Sequence, residues 1–383
     1  MSPSFGQLDP FASCRDIVIG YDIAMSMEQA PKQAGSEFEV GLDAADKYVA
    51  SFARDDRSID HILRGILRRN PTIIPAMVLL FSVICFGIIA PNFMSPGVLS
   101  LVLKQVTVTG VVAIAQTLII LTAGIDLSVG AIMVLSSMIM GRLAVDFGIP
   151  PFFAVTISLF FGALMGWVNG VLVTIVKLPP FIVTLGTLSV FTALLLWYSG
   201  SQSIRGADIR EMAPSLLFFG HSLRFGGFVL TYGGLALIGL ALVIWYLLNH
   251  TAWGRHVHAI GDDPDAAMLS GIKINRTLIS VYALAGLICG FAGWVAAGRV
   301  GSISPIGFSD INLASITAVV IGGTSLFGGR GSILGSVLGA MIVGVFNTGL
   351  SLAGVDDYWQ MFAAGNLVLI AVALDQWLRR ATK

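Results

Sequence analysis

The sequence predicts an all-α membrane protein, a polytopic bundle of about ten transmembrane helices with both termini in the cytoplasm. Three observations predict it. Apolar residues are 56% of the 383 and charged ones only 11%, whereas a soluble domain carries roughly a quarter charged, so the chain cannot cover itself with a polar surface. The apolar residues fall in runs of about 16 to 25, enough to cross a hydrocarbon core of roughly 30 Å at 1.5 Å per helical residue. Lys and Arg flank those runs unevenly, eleven on the side of the N-terminus and six on the other, which makes the first side cytoplasmic.

Taken in order, residues 1–57 mix charges of both signs with Gly, Ser, Pro and Gln and hold no apolar run suited to a signal peptide. They read as a disordered cytoplasmic extension ahead of a transmembrane domain over 58–383, with Met25 and Met27 leaving a later start open. From Ile59 to Asn70 apolar residues recur at helical spacing beside Arg64, Arg68 and Arg69, as in a helix resting on cytoplasmic headgroups. The expected spans are 72–90, 101–121, 127–146, 152–176, 180–199, 229–248, 277–298, 311–326, 332–353 and 358–378. Gly162, Gly166 and Gly170 form a row that lets another helix approach closely, as do Gly331, Gly335 and Gly339, and Gly286 with Gly290.

The run TAGIDLSVG at 122–130 interrupts the apolar pattern. A lipid-facing carboxylate at mid-helix costs about 2.5 to 3.5 kcal/mol, so Asp126 belongs at an interface, in the protein interior or beside a watery path. Two readings stay open: an interrupted helix that exposes backbone polar groups to a solute, and a tight turn in which Asp126 or Ser128 caps the next helix. Uncharged polar and aromatic residues recur inside the spans, namely Gln116, Thr122, Asn169, Thr184, Thr187, Asn312, Thr317, Asn347 and Asn366, with Phe181 and Trp197. Singly, each Asn or Thr also suits a hydrogen bond between helices. Together with Asp126 and Ser128 they make a candidate path for a neutral polyol, which needs amides, hydroxyls and aromatic faces rather than fixed charge.

Residues 251–275 read TAWGRHVHAIGDDPDAAMLSGIKIN. Asp263 suits an N-cap, Pro264 the first turn, Asp265 the positive end of the dipole and Gly271 a left-handed end. A two-turn helix follows, with Ala266, Ala267, Met268, Leu269 and Ser270 as its body and Asp262 before it. It is either a knob held out for another protein or an ordinary capped loop helix. The glycine-rich run at 322–332 faintly resembles a phosphate loop, yet Gly329 stands where that motif needs lysine and no strand precedes it, so we discard it as a nucleotide site. Cys14, Cys85 and Cys289 lack metal spacing, the five histidines are scattered, and no catalytic set is legible. Zero net charge gives no reason to invoke nucleic acid.

The runs AQTLIILTAGIDLSVGAIMVLSSMIMG (115–141), KLPPFIVTLGTLSV (177–190), TAWGRHVHAIGDDPDAAMLSGI (251–272) and TAVVIGGTSLFGGRGSILGSVLGAMIVGV (317–345) resemble permeases of the ribose, xylose and fructose class of ABC importers. The likeness covers about 60–380 and is nearest to the fructose permeases of rhizobia. It implies an inner-membrane homodimer that takes a monosaccharide from a periplasmic binding protein, fructose first, then ribose, mannose, xylose or inositol. It also implies that a separate cytoplasmic subunit binds ATP and magnesium, so this chain would need no cofactor and would not be an enzyme. Residues 262–271 would be the coupling helix that docks on that subunit. The rival classes are an ion-coupled secondary transporter, which calls for buried acidic pairs, and a scaffold or receptor without flux.

Overall fold

In the computed structural model, which describes residues 72–381, a helix overlaps each of the expected segments. We number them α1 (Ile73–Ile89), α2 (Pro96–Leu121), α3 (Val129–Val145), α4 (Pro151–Thr174), α5 (Pro180–Ser199), α6 (Gly206–Met212), α7 (Tyr232–His250), α8 (Ala252–Asp262), α9 (Pro264–Leu269), α10 (Ile274–Val300), α11 (Ile311–Ile321), α12 (Ile333–Leu352) and α13 (Asp357–Ala381). Six of these, α2, α4, α5, α7, α10 and α12, are long and apolar enough to cross a membrane. The extension at 1–57 and the amphipathic stretch at 59–70 lie outside the described residues.

Local chemistry sets the helix ends. Ser95 accepts from the Val98 amide at 3.4 Å with Pro96 at the first position, and Ser332 accepts from the Gly335 amide at 3.0 Å. Left-handed glycines stop α5 at Gly200 (φ +58°) and α10 at Gly301 (φ +78°). From Val106 to Leu121 only Thr109 of α2 is not buried, as expected of a helix apolar all round. Around it stand α10 and α12, while α4 lies along α10. The outward faces carry Leu80, Phe81, Phe152, Phe160, Ile182, Trp197, Leu242 and Tyr246, all exposed, a surface suited to lipid.

The glycine rows do what small residues do between helices. On α4, Gly162 and Gly166 meet Gly286 and Gly290 of α10, so that a Cβ on Gly162 would lie 2.6 Å from the Gly286 carbonyl oxygen. On α12, Gly335 and Gly339 lie on the carbonyls of Gly322 and Ala318. Gly286→Val is therefore expected to lower the detergent melting temperature of the chain by several degrees, because overpacking costs about 1 to 3 kcal/mol and here the obstacle is unyielding backbone. An unchanged melting temperature would contradict this close approach.

Three sequence expectations are corrected. The chain is not wholly helical: β1 (Ser222–Phe225) and β2 (Phe228–Thr231) form an antiparallel hairpin turned by Gly226 and Gly227, both at positive φ. The span expected at 229–248 consequently begins at Tyr232, where Thr231 accepts from the Gly234 amide at 3.3 Å. The span expected at 311–326 is a helix only to Ile321, about 16 Å long, because Gly323 takes a left-handed conformation at φ +83° that ends it.

Candidate functional site

Asp126 is drawn inward rather than to lipid. After α2 ends, Ala123 takes a left-handed φ of +59°, and its amide and that of Gly124 fold back on the carbonyls of Ile120 and Ile119 at 2.9 and 3.1 Å. The chain then carries Asp126 to a position 2% exposed. One carboxylate oxygen accepts from the Ser128 amide and the Ser128 hydroxyl, both at 2.6 Å, and the other from the Asn169 amide of α4 at 3.3 Å. Asn169 also donates to the Ser128 hydroxyl at 2.8 Å, and the Thr184 hydroxyl of α5 donates to the Ile125 carbonyl at 3.0 Å. One step on, the Gly130 amide in the first turn of α3 donates to the Asn312 side-chain oxygen in the first turn of α11 at 2.7 Å. Two short helices thus meet by their N-terminal turns beside the buried carboxylate.

The residues singled out from sequence separate into four groups. Asp126, Ser128, Asn169, Thr184 and Asn312 come together in this cluster. Thr122 turns back to the Ile119 carbonyl at 2.8 Å and Thr187 to that of Thr184 at 3.4 Å, while neither polar atom of buried Gln116 meets a partner among the described residues. Thr317 and Asn347 line a separate cleft of about 640 Å³ between α2, α11, α12 and α13. Phe181, 50% exposed, Trp197, 78% exposed, and Asn366, which donates to the Phe362 carbonyl at 2.8 Å, stand outside both.

The capped segment forms as its chemistry dictates. The Asp263 carboxylate accepts from the Asp265 and Ala266 amides, both at 3.0 Å, and Gly271 closes the helix at φ +81°. The helix proper is Pro264–Leu269, since Asp262 is the last residue of α8. Ala267 is buried, whereas Met268 and Leu269 are 59% and 87% exposed.

What sequence reading missed lies directly behind it. α8 ends at a junction of three backbones with no side chain between them. A Cβ on Gly261 would fall on the Leu121 carbonyl oxygen and 2.5 Å from the Gly329 amide nitrogen, and that amide donates to the same carbonyl at 3.0 Å. A Cβ on Gly328 would lie 2.6 Å from the Gly261 oxygen and 2.8 Å from the Ala123 nitrogen. The glycine run set aside as a false phosphate loop is therefore a structural partner of α8 and of the break that leads to Asp126. The sequence shows Gly261 near the end of a loop helix and the glycine run at 322–331, each open to a turn reading. A sequence gives no pairing between them.

A family model and several known sugar permeases match this chain. A family model described as the permease component of branched-chain amino acid transport systems matches residues 98–372. A fructose import permease of Rhizobium meliloti is 51% identical over 349 residues, 91% of this chain and 97% of its own length. That match leaves 34 of the 383 residues outside it and so reaches into the first 57. A ribose import permease of Bacillus subtilis is 38% identical over 302 residues, 79% of this chain and 92% of its own, and a D-allose permease of Escherichia coli is 33% identical over 308, 79% and 91%. No solved structure matches.

Proposed function

The chain belongs to the family described as the permease component of branched-chain amino acid transport systems, and from that premise we propose that it is the transmembrane subunit of an ATP-driven, binding-protein-dependent monosaccharide importer. Fructose is the first substrate, on the 51% relative, with ribose, mannose, xylose or inositol after it. Ten helices cross the bacterial inner membrane as a homodimer, both termini inside, and the end carrying α8 and α9 faces the cytoplasm. A separate subunit there binds ATP and magnesium, and a periplasmic protein delivers the sugar.

The observation that carries the reading is the seating of the capped segment. α9 presents Met268 and Leu269 to solvent, yet one residue, Asp263, joins it to α8, whose last turn rests on the backbone of α2 through Gly261. An ATPase that grips α9 has a short, side-chain-free route to the break before α3. Alternating access follows when ATP closes the ATPase pair and the two bundles rock around their central path.

The test is uptake by proteoliposomes holding the permease, the ATPase and the binding protein. Fructose accumulation that needs ATP and stops with vanadate is expected, while vanadate-insensitive uptake by this chain alone would establish the ion-coupled alternative. Leu269→Ala should weaken capture of the ATPase about tenfold, since burying a leucine contributes about 1.5 to 3 kcal/mol and part of that side chain remains. Capture at wild-type affinity would leave α9 an ordinary loop helix.

A further inference from the structure

We propose that the cleft between α2, α11, α12 and α13, and not the Asp126 cluster, is where the sugar is received, at the end of the bundle opposite α9; this rests on the importer reading above. The cluster is an unsuitable receptor because its groups are already committed. Asp126, Ser128 and Asn169 are bonded to one another and 2%, 0% and 0% exposed, so a solute would have to break a network that is largely satisfied.

The cleft has both room and free groups. Its volume of about 640 Å³ lies within the usual range of small-molecule sites. Gln105, in the outer part of α2, is held by the Thr348 hydroxyl of α12, which donates to its side-chain oxygen at 3.0 Å. That contact fixes the amide and leaves its NH2 group without a partner among the described residues. Beside it on α12, the Asn347 amide makes no hydrogen bond among the described residues, so one donor group and one acceptor are open on the same wall. Thr348 has spent its proton on Gln105 and keeps its acceptor lone pairs. A sugar hydroxyl both donates and accepts, and an array of fixed amides with a hydroxyl answers that chemistry.

The charges on the lining fit the same ligand. Arg299 in the last turn of α10 and Lys104 on α2 face Asp310 and Asp357 at the starts of α11 and α13, two of each sign, and none of them forms an ion pair among the described residues. The wall is formally neutral. It offers neither an excess of positive charge for a phosphate nor an excess of negative charge for a cation, and a neutral polyol enters without a net electrostatic cost. Arg299 is oriented by the Phe308 ring, 5.9 Å below its guanidinium carbon.

The test uses the complete importer in proteoliposomes. Asn347→Cys is placed in a chain whose native cysteines are replaced by serine, and the rate at which a small methanethiosulfonate converts it to a mixed disulfide, with sulfinate as the leaving group, is read with and without sugar. Fructose at millimolar concentration is expected to slow labelling about fivefold, the occupancy effect of a low-affinity site, while leucine has no effect. Gln105→Ala and Asn347→Ala are expected to shift the ratio of fructose to ribose uptake by about threefold to tenfold, as the loss of a hydrogen bond to one hydroxyl would; a merely structural role would lower both rates alike. If the wild-type complex transports fructose but the sugar neither protects position 347 nor changes its preference in the variants, the cleft is not the receiving site. Protection by leucine alone would overturn the polyol assignment. A wild-type complex that transports no sugar would instead sink the importer reading beneath it.

Discussion

Gly261→Ala is expected to abolish ATP-driven uptake while the chain stays inserted and keeps its ATPase. Helix propensity alone argues the other way, since alanine in place of glycine inside α8 favours the helix by about 0.5 to 1 kcal/mol. The contact decides the sign. The added methyl would fall on the Leu121 carbonyl oxygen, which already accepts from the Gly329 amide at 3.0 Å. These neighbours are backbone and cannot step aside by a rotamer change, so the overpacking cost of about 1 to 3 kcal/mol is the larger quantity. It is relieved by displacing α8 from α2, and α9 can then still bind the ATPase without moving the break that leads to Asp126. The expected readout is ATPase activity that survives but no longer responds to the loaded binding protein, with uptake below about a hundredth of wild type, the loss expected when a link of some 2.7 kcal/mol is removed. Co-purification with the ATPase separates this from misfolding, and Arg255→Ala, on an exposed part of α8, serves as the unaffected control. Normal uptake by Gly261→Ala would show that the junction transmits nothing.

The same junction marks where the sequence stops being legible. The apolar runs located a helix under each expected segment because burial in lipid leaves the backbone no alternative to satisfying itself. The cap of α9 could be read as well, since Asp263, Pro264 and Gly271 act through local hydrogen bonds and φ preference, and the structure has those bonds at 3.0 Å. Contacts between distant segments could not. Gly261, Leu121 and Gly329 meet only because the ends of α8 and α2 come together on the loop between α11 and α12, and each glycine taken alone reads as a turn or a packing residue. Likewise Gln105 and Thr348, 243 positions apart, form a pair that no spacing rule anticipates. Most of β2 falls inside the span expected from residue 229 because FVLT is as apolar as the helix after it, and only Gly226 and Gly227 ahead of it mark the turn.

Asp126 is the residue where the two readings left open in the sequence can be separated. The turn is real: the carboxylate takes the Ser128 amide and hydroxyl at 2.6 Å, and Ser128 itself caps nothing. Asparagine makes such a turn nearly as well as aspartate, so a turn role predicts that Asp126→Asn behaves as wild type. The surroundings predict otherwise. The second carboxylate oxygen faces the Asn169 amide nitrogen at 3.3 Å, and an asparagine amide turned that way would set donor against donor. Flipping Asn169 would turn its oxygen, which has no partner among the described residues, toward position 126, but would withdraw the donor that now reaches Ser128 at 2.8 Å. The substitution also removes a negative charge just ahead of the N-terminal turn of α3, where it favours the helix by about 0.3 to 1 kcal/mol, and up to about 2 when partly buried. We therefore expect Asp126→Asn to assemble and melt within a few degrees of wild type yet transport at less than about a tenth of its rate, because the first turns of α3 and α11, joined through Gly130 and Asn312 at 2.7 Å, lose the group that holds them in register. Asp126→Ala should lose stability as well, leaving the Ser128 and Asn169 donors unmet at about 1 to 3 kcal/mol each. Wild-type uptake by Asp126→Asn together with a destabilised Asp126→Ala would reduce this carboxylate to a turn former with no part in holding α3 and α11 in register for transport.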